Sequence, residues 1–478
     1  IGCFSKEAYE FVDQLALANQ KYWQILPLGP TSYGDSPYQS FSTYAGNPYF
    51  IDLNTLIEEG VLTKKECNLA DFGSDSRFID YGKLYKARYK LLRKAYERSN
   101  ISQNPEFQTF QEENAWWLDD YSLFMAVKGF FQDECWDKWP EDIKKRYGYA
   151  LDYYREQLYF EVEFQKYMQF EFSIQWKKLK TYANENGIRI IGDIPIYVAY
   201  DSADTWAHPE LFQLDEENVP LAVAGCPPDG FAADGQLWGN PLYRWDYHRQ
   251  TGYAWWMQRL SYAFYLYDVV RIDHFRGFDE YFSIPYGDTT ARNGHWEKGP
   301  GIELFHRMKE VLGERDVIAE DLGYVTDSVR QMVFESGFPG MKVFEFAFDS
   351  RDTGCAGDYL PHNYPVNSVV YTGTHDNATL IGWYQDIPKE GREMLRDYIH
   401  DYTTSDRSLH WSVICRVMGS PARICMIPMQ DYLGLDNTCR INTPSTLGTN
   451  WKWRLLDGEF TSDLQNKIKK LVRIYQRN

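Results

Sequence analysis

Seven short apolar runs, each ending in polar or charged residues and separated by helix-length segments, constrain this chain more than any other feature. They are Tyr22–Leu28, Ile188–Val198, Tyr267–Gly277, Asp316–Gly323, Gly340–Asp349, Ser368–Asn377 and Arg423–Asp431. Runs this short and this rich in β-branched residues predict buried parallel strands rather than helices. Strands alternating with helices, with polar residues at the strands' carboxyl ends, predict an α/β chain built as a (β/α)8 TIM barrel. The loops on that face would hold the active site. Eight strands close such a barrel and the count reaches seven, so residues 1–53 are read as a barrel start whose first strand is missing.

The intervening texture sets the domain plan. Residues 5–20 carry apolar side chains at helical spacing behind Ser5 and Glu7, which predicts a helix opening at Ser5. Residues 54–187 are dominated by charged and aromatic runs with helical spacing, such as Tyr81–Glu97 and Glu112–Phe131, and read as a mostly helical insertion subdomain. Residues 188–478 are read as the remainder of the catalytic barrel. The segment 224–241, rich in Gly and Pro and carrying aromatics, is predicted to be a lid-like loop. Gly29–Gln39, dense in Gly, Pro, Ser and Tyr, is a surface loop of the kind that lines a site.

Composition removes several partner classes. A net charge of −18 and a pI near 5.0 would repel phosphate backbones and anionic lipid, which excludes nucleic acid. No run approaches the ~18 consecutive apolar residues of a membrane span. The eight cysteines (Cys3, Cys67, Cys135, Cys226, Cys355, Cys415, Cys425 and Cys439) are scattered without a CxxC pair, as expected of free thiols in the cytoplasm. Aromatics make up 17% of the chain, a surplus that suits pyranose rings, whose C–H faces pack on aromatic faces.

The chemistry gathers in the run Tyr267–Gly277. Side chains alternate along a strand, so Arg271 and Asp273 project the same way, with Asp273 at the carboxyl end. The guanidinium is expected to lower the pKa of Asp273 and keep it ionised as a nucleophile. Asp273, Glu320 and Asp376 end three separate strands, and in a closed barrel such ends converge. Two carboxyls about 5–5.5 Å apart are the equipment of a retaining glycosidase. Asp273 is assigned as nucleophile and Glu320 as acid and base, its pKa raised by neighbouring anions and a partly dry cleft. Asp376 would hydrogen-bond sugar hydroxyls and favour a cationic transition state. His274 and His375 abut two of these aspartates and can donate to sugar hydroxyls. The same side chains suit a metal-dependent hydrolase, but chelating HxH and HxxxH spacings are absent and Arg271 would set a positive charge beside the ion.

These residues lie in motifs that resemble those of the 4-α-glucanotransferases of glycoside hydrolase family 77. The motifs are VVRIDHFRGF, VIAEDLG, TGTHDN, LPLGPTSYGDSPYQS, GDIPIYVAYDSADTWAHP and GQLWGNPLYRW. The resemblance runs from Ile1 to the C-terminus. It implies a (β/α)8 barrel with helical insertions and no C-terminal β-sandwich domain, no metal or organic cofactor, and a leading strand ahead of the segment that begins at Ile1. It implies retaining transfer of α-1,4-glucan segments from maltooligosaccharide or starch to the 4-OH of an acceptor, through a covalent glycosyl-aspartate. By motif position the nucleophile falls on Asp273, the acid/base on Glu320 and the transition-state stabiliser on Asp376. Arg271, His274, His375, Tyr38, Trp238, Asp349 and Asn442 fall among the sugar-contacting residues. An α-glucan hydrolase of the same mechanism, the metal-dependent hydrolase and a catalytically silent glucan-binding protein are the competing readings.

Overall fold

The computed structural model describes residues 2–32, 34–228, 233–323, 325–348 and 356–477. Its strands are β1 (Tyr22–Gln24), β2 (Arg189–Ile194), β3 (Ala222–Cys226), β4 (Gln236–Pro241), β5 (Val269–Ile272), β6 (Glu280–Pro285), β7 (His295–Lys298), β8 (Val317–Ala319), β9 (Gly340–Val343), β10 (Ser368–Tyr371) and β11 (Ile424–Met426). β1, β2, β5, β8, β9, β10 and β11 form one parallel sheet in that order, and each falls within one of the seven apolar runs. The fold is a (β/α)8 barrel of which seven strands are described. No described strand joins β11 to β1. A cavity of 560 Å³ lies on that side, lined by Phe11, Leu15, Tyr22, Cys425 and Val472 and reaching Arg271 and His375.

Alternation along the strands decides what faces the barrel axis. Val269 of β5 clusters inside with Ile191, Ile318, Met341, Val369 and Tyr371. Val270 and Ile272 turn outward into the main core, which also contains Leu260 and Phe305 of the surrounding helices. Because successive side chains take opposite faces, Arg271 and Asp273 continue the inward row of Val269, and Asp193 continues that of Ile191. Glu320 likewise follows Ile318. The register places Asp193 directly across from Arg271, and Ile272 across from β8 residue 319, so the next residues on β5 and β8 are Asp273 and Glu320.

Residues 54–187 are helical for most of their length, and the longest helices are Tyr81–Ser99, Pro105–Phe130 and Tyr159–Glu185. Part of this region has its own apolar cluster, with Trp117, Tyr121, Phe124, Trp136 and Trp139. The helix Tyr159–Glu185 also ties down the loop after β1. The Gln169 side chain accepts from the Gly46 N–H at 2.7 Å and donates to its carbonyl at 2.9 Å, and Gln175 accepts from the Asp52 N–H at 2.7 Å. Near the N-terminus the predicted helix is present as Lys6–Leu17. Ser5 stands at its N-cap, but its hydroxyl bonds Glu7 instead of a backbone N–H.

The segment 224–241, predicted as a lid-like loop, instead contains most of β3 and all of β4, paired antiparallel, with residues 229–232 outside the described residues. β6 and β7 extend the pair into a four-stranded sheet in the order β4-β3-β6-β7. The glycine content that reads as a loop serves close packing here: a Cβ on Gly225 would sit 2.1 Å from the Gln236 carbonyl oxygen.

Candidate active site

The inward-facing ends of β2, β5 and β8 assemble a charged cluster. Arg271, with only 4% of its side-chain surface exposed, donates from Nη1 to Asp193 at 2.6 Å and to Asp273 at 3.1 Å. Asp193 also accepts from the Tyr38 hydroxyl at 2.8 Å. Burial opposes the charge of Arg271, but Asp193 and Asp273 outweigh it and hold the guanidinium cationic. Asp193 therefore links the loop that carries Tyr38 to the strand that carries Asp273. It was visible in the sequence only as one more strand-end carboxylate.

Glu320 stands beside Asp273. Its two carboxyl oxygens accept backbone N–H groups, Oε2 from His274 at 2.7 Å and Oε1 from Leu322 at 3.0 Å. The first is available because the chain turns sharply after β5, with His274 in the left-handed region at φ 51°. Burial first, and the Asp273 charge second, raise Glu320 to about 8. For Asp273 the expected lowering by Arg271 is overturned. Burial exceeds the attraction of the guanidinium, Asp193 and Asp376 add repulsion, and the group rises to about 6. Asp273 keeps 29% of its side-chain surface open to the cleft. Burial raises both carboxyls, and it raises Glu320 further than Asp273, which is the order that favours a proton on Glu320.

Asp376, at the loop after β10, is half-exposed and accepts from Asn442 Nδ2 at 2.6 Å, with His375 Nε2 at 3.5 Å. The Asn442 N–H donates to the His375 carbonyl at 3.1 Å, so the segments 375–377 and 440–442 are laced together. Tyr38 stacks on His375 with ring centroids 5.1 Å apart, and Trp451 packs beside both rings at 5.7 and 5.9 Å. Trp238, on β4, meets the His274 ring edge-on at 4.9 Å. Burial, assisted by Arg276, lowers His274 to about 3 and keeps it neutral. Its Nε2 is buried without a hydrogen-bond partner among the described residues.

Of the residues singled out from sequence, Asp273, Glu320, Arg271, His274 and Trp238 thus meet around the ends of β5 and β8. Asp376, His375, Asn442 and Tyr38 meet at the end of β10, and Asp193 with Arg271 bridges the two groups through Tyr38. Asp349 lies outside the described residues. Sequence reading gave Asp193 no role beyond a strand-end carboxylate and missed Trp451 and Arg440, which reach the site through packing or hydrogen bonds between distant segments. Among the described residues no group of three or more His, Cys, Asp or Glu side chains is arranged to hold a metal ion. No helix among them is long and apolar enough to cross a membrane.

Comparison with known proteins gives a consistent result. A family model described as 4-alpha-glucanotransferase matches residues 1–459. The 4-alpha-glucanotransferase of Clostridium butyricum is 50% identical over 479 residues, with 100% of this chain and 97% of that protein covered. That of Thermus thermophilus is 45% identical over 486 residues, covering 100% and 96%. The solved amylomaltase from Streptococcus agalactiae, in complex with acarbose, superposes with a TM-score of 0.96 at 40% identity, covering 100% of this chain and 96% of that one.

Proposed function

The chain belongs to the 4-alpha-glucanotransferase family, glycoside hydrolase family 77, and is a transglycosylase of α-1,4-glucans; from that premise we propose that Asp273 is its nucleophile, Glu320 its acid/base and Asp376 its transition-state stabiliser. The supporting observation is the register that sets Asp273 and Glu320 side by side at neighbouring strand ends facing the barrel axis, with burial raising Glu320 the further, as a reaction needing one carboxylate and one carboxylic acid requires.

In the first half-reaction an ionised Asp273 oxygen attacks the anomeric carbon while Glu320 gives its proton to the departing 4-oxygen. The glycosidic bond breaks, the shortened glucan leaves with a new 4-OH, and an Asp273 glycosyl ester remains. Glu320 is now a carboxylate and takes the proton from an acceptor's 4-OH as that oxygen attacks the same carbon. The ester bond breaks and both carboxyls return to their starting states. Asp376, held by Asn442 and flanked by His375, supplies negative charge where the flattened, cationic sugar ring develops. Arg271, His274, His375, Tyr38, Trp238, Asp349 and Asn442 are assigned to sugar contacts. The neutral His274 leaves an imidazole nitrogen for a sugar hydroxyl.

Transfer prevails over hydrolysis when an acceptor glucan occupies the cleft and excludes water. The β3–β4 hairpin, with Trp238 against His274, is assigned that covering role. The chain is divided as 1–53, 54–187 and 188–478, with the helical part bracing the loop of Tyr38 through Gln169 and Gly46. Its described cysteines are free thiols, which suits a reducing cytoplasm. The substrates are α-1,4-glucans and maltooligosaccharides.

The test is incubation with maltotriose in chelator, with products separated by length. Glucose plus a ladder of longer maltooligosaccharides is expected, whereas glucose and maltose alone would mean hydrolysis. In the Asp273→Ala variant turnover should fall roughly 10⁴-fold or more while maltooligosaccharide binding remains measurable. A retained rate would remove the nucleophile assignment.

A further inference from the structure

Asp376 is the most solvent-exposed of the three carboxylates, with 48% of its side-chain surface open, yet a stabiliser of developing charge has to be held in place before the charge appears. Burial does not fix it, so a local device must. Its carboxylate is held by Asn442 Nδ2, so its orientation is only as good as the relative placement of segments 375–377 and 440–442.

One side chain spans both segments. Arg440 donates from Nη2 to the backbone carbonyl of Asp376 at 2.5 Å and from Nε to the backbone carbonyl of Asn442 at 2.7 Å. The guanidinium is planar, so these two donors lie in one rigid plane and set the distance between the two carbonyls. The residues it joins are those whose side chains meet at 2.6 Å. With the Asn442 N–H on the His375 carbonyl, the result is a closed ring of hydrogen bonds around Asp376. Burial works against the charge of Arg440, and Glu345, Asp376 and Asp386 support it, Glu345 most strongly. Glu345 follows β9 and is itself buried, so the guanidinium is backed by a fixed carboxylate.

We propose that Arg440 is a positioning residue for the transfer reaction, acting solely by clasping the backbone of Asp376 to that of Asn442 and so pre-orienting the Asp376 carboxylate toward the cationic sugar ring. The proposal rests on the reading of Asp376 as the transition-state stabiliser. A lysine cannot replace the clasp, since one ammonium lacks the planar pair of donors.

A double-mutant cycle tests it, using Arg440→Ala, Asp376→Asn and the double variant with maltotriose, and α-glucosyl fluoride as donor where the rate is too low. Arg440→Ala is expected to lower kcat on the order of 100-fold, the scale of a misplacement near 1 Å, with KM for maltotriose nearly unchanged. Affinity for 1-deoxynojirimycin, a protonated imino sugar that carries the charge of the transition state, should fall in parallel with kcat. In the Asp376→Asn background the Arg440 substitution should cost less than about threefold, because a clasp has nothing left to orient. Arg440→Lys should behave like Arg440→Ala, and it serves alone if the alanine variant does not fold. A full additive loss in the double variant, an unchanged rate in Arg440→Ala, or rescue by lysine would each overturn the proposal. If Asp376→Asn alone leaves kcat intact, the stabiliser reading of Asp376 fails first and is identified as the cause.

Discussion

At the residue scale the roles proposed for Asp273 and Glu320 predict how the enzyme responds to pH. Glu320 is lifted to about 8 by burial and by the negative charge next to it, and Asp273 to about 6 because burial exceeds the pull of Arg271. Attack needs Asp273 ionised, so kcat/KM should fall as pH drops through 6. Leaving-group departure needs Glu320 protonated, so it should also fall as pH rises through 8, giving a bell with its top near neutrality. Replacing the acid isolates one limb. Glu320→Gln should lose about 10²–10⁴-fold on maltotriose and lose the alkaline limb with it. With α-glucosyl fluoride, whose leaving group needs no proton, the first half-reaction should stay close to the unmodified rate in a burst measurement. An alkaline limb that survived in Glu320→Gln would assign that pKa to another group.

At the element scale, the placement of Asp193 depends on how closely β2 packs against Tyr267, the aromatic residue between the helix Ala254–Leu266 and β5. Gly192 lies one residue before Asp193, with its outward side against the ring of Tyr267. A Cβ there would fall 2.1 Å from the ring carbons. Tyr267 is buried and cannot move aside freely. Gly192→Ala should therefore destabilise the protein by about 1–3 kcal/mol, read from a denaturant midpoint. It should also reduce kcat, because the strand carries Asp193 and hence Arg271 with it. Equal stability in the variant would mean that β2 shifts without resistance. On the other side of the site, the helix Tyr159–Glu185 acts as a brace, since its glutamines pair with the backbone of the loop following β1. This long aromatic helix thus ties down residues 46 and 52, on the segment that follows Tyr38 in the chain.

At the scale of the whole molecule, the seven described barrel strands leave β1 and β11 as edges. The cavity between them is lined by side chains of the helices Lys6–Leu17 and Ser462–Ile474 as well as by the strands. A strand paired on both sides opens only when its neighbours do, whereas an edge strand can detach alone. Amides of β1 and β11 in this chain should exchange with solvent well ahead of those in β5 and β8, measured by hydrogen exchange with mass spectrometry. The carboxylates proposed as nucleophile and acid/base follow β5 and β8, which are paired on both sides, whereas the half-exposed Asp376 lies in the loop after β10, the strand beside β11. Uniform protection around the sheet would show that the β11 and β1 sides are joined more tightly than their pairing indicates.

Local chemistry alone was enough to make the strands and carboxylates legible. Val269 and Val270 favour strand wherever they lie, a carboxylate at a strand's end needs no partner to be noticed, and alternation forces Arg271 and Asp273 onto one face. The hairpin within 224–241 was not legible, because its glycines signal a turn locally and only the approach of β3 to β4 and β6 reveals them as strand residues. The parts played by Asp193 and Arg440 were hidden for the same reason, since their partners lie 78, 64 and 155 residues away or across a turn. The sign of the Asp273 shift also depended on tertiary structure. Sequence proximity reports the attraction of a guanidinium two residues away, but desolvation depends on everything folded around the group, and here burial is the larger effect.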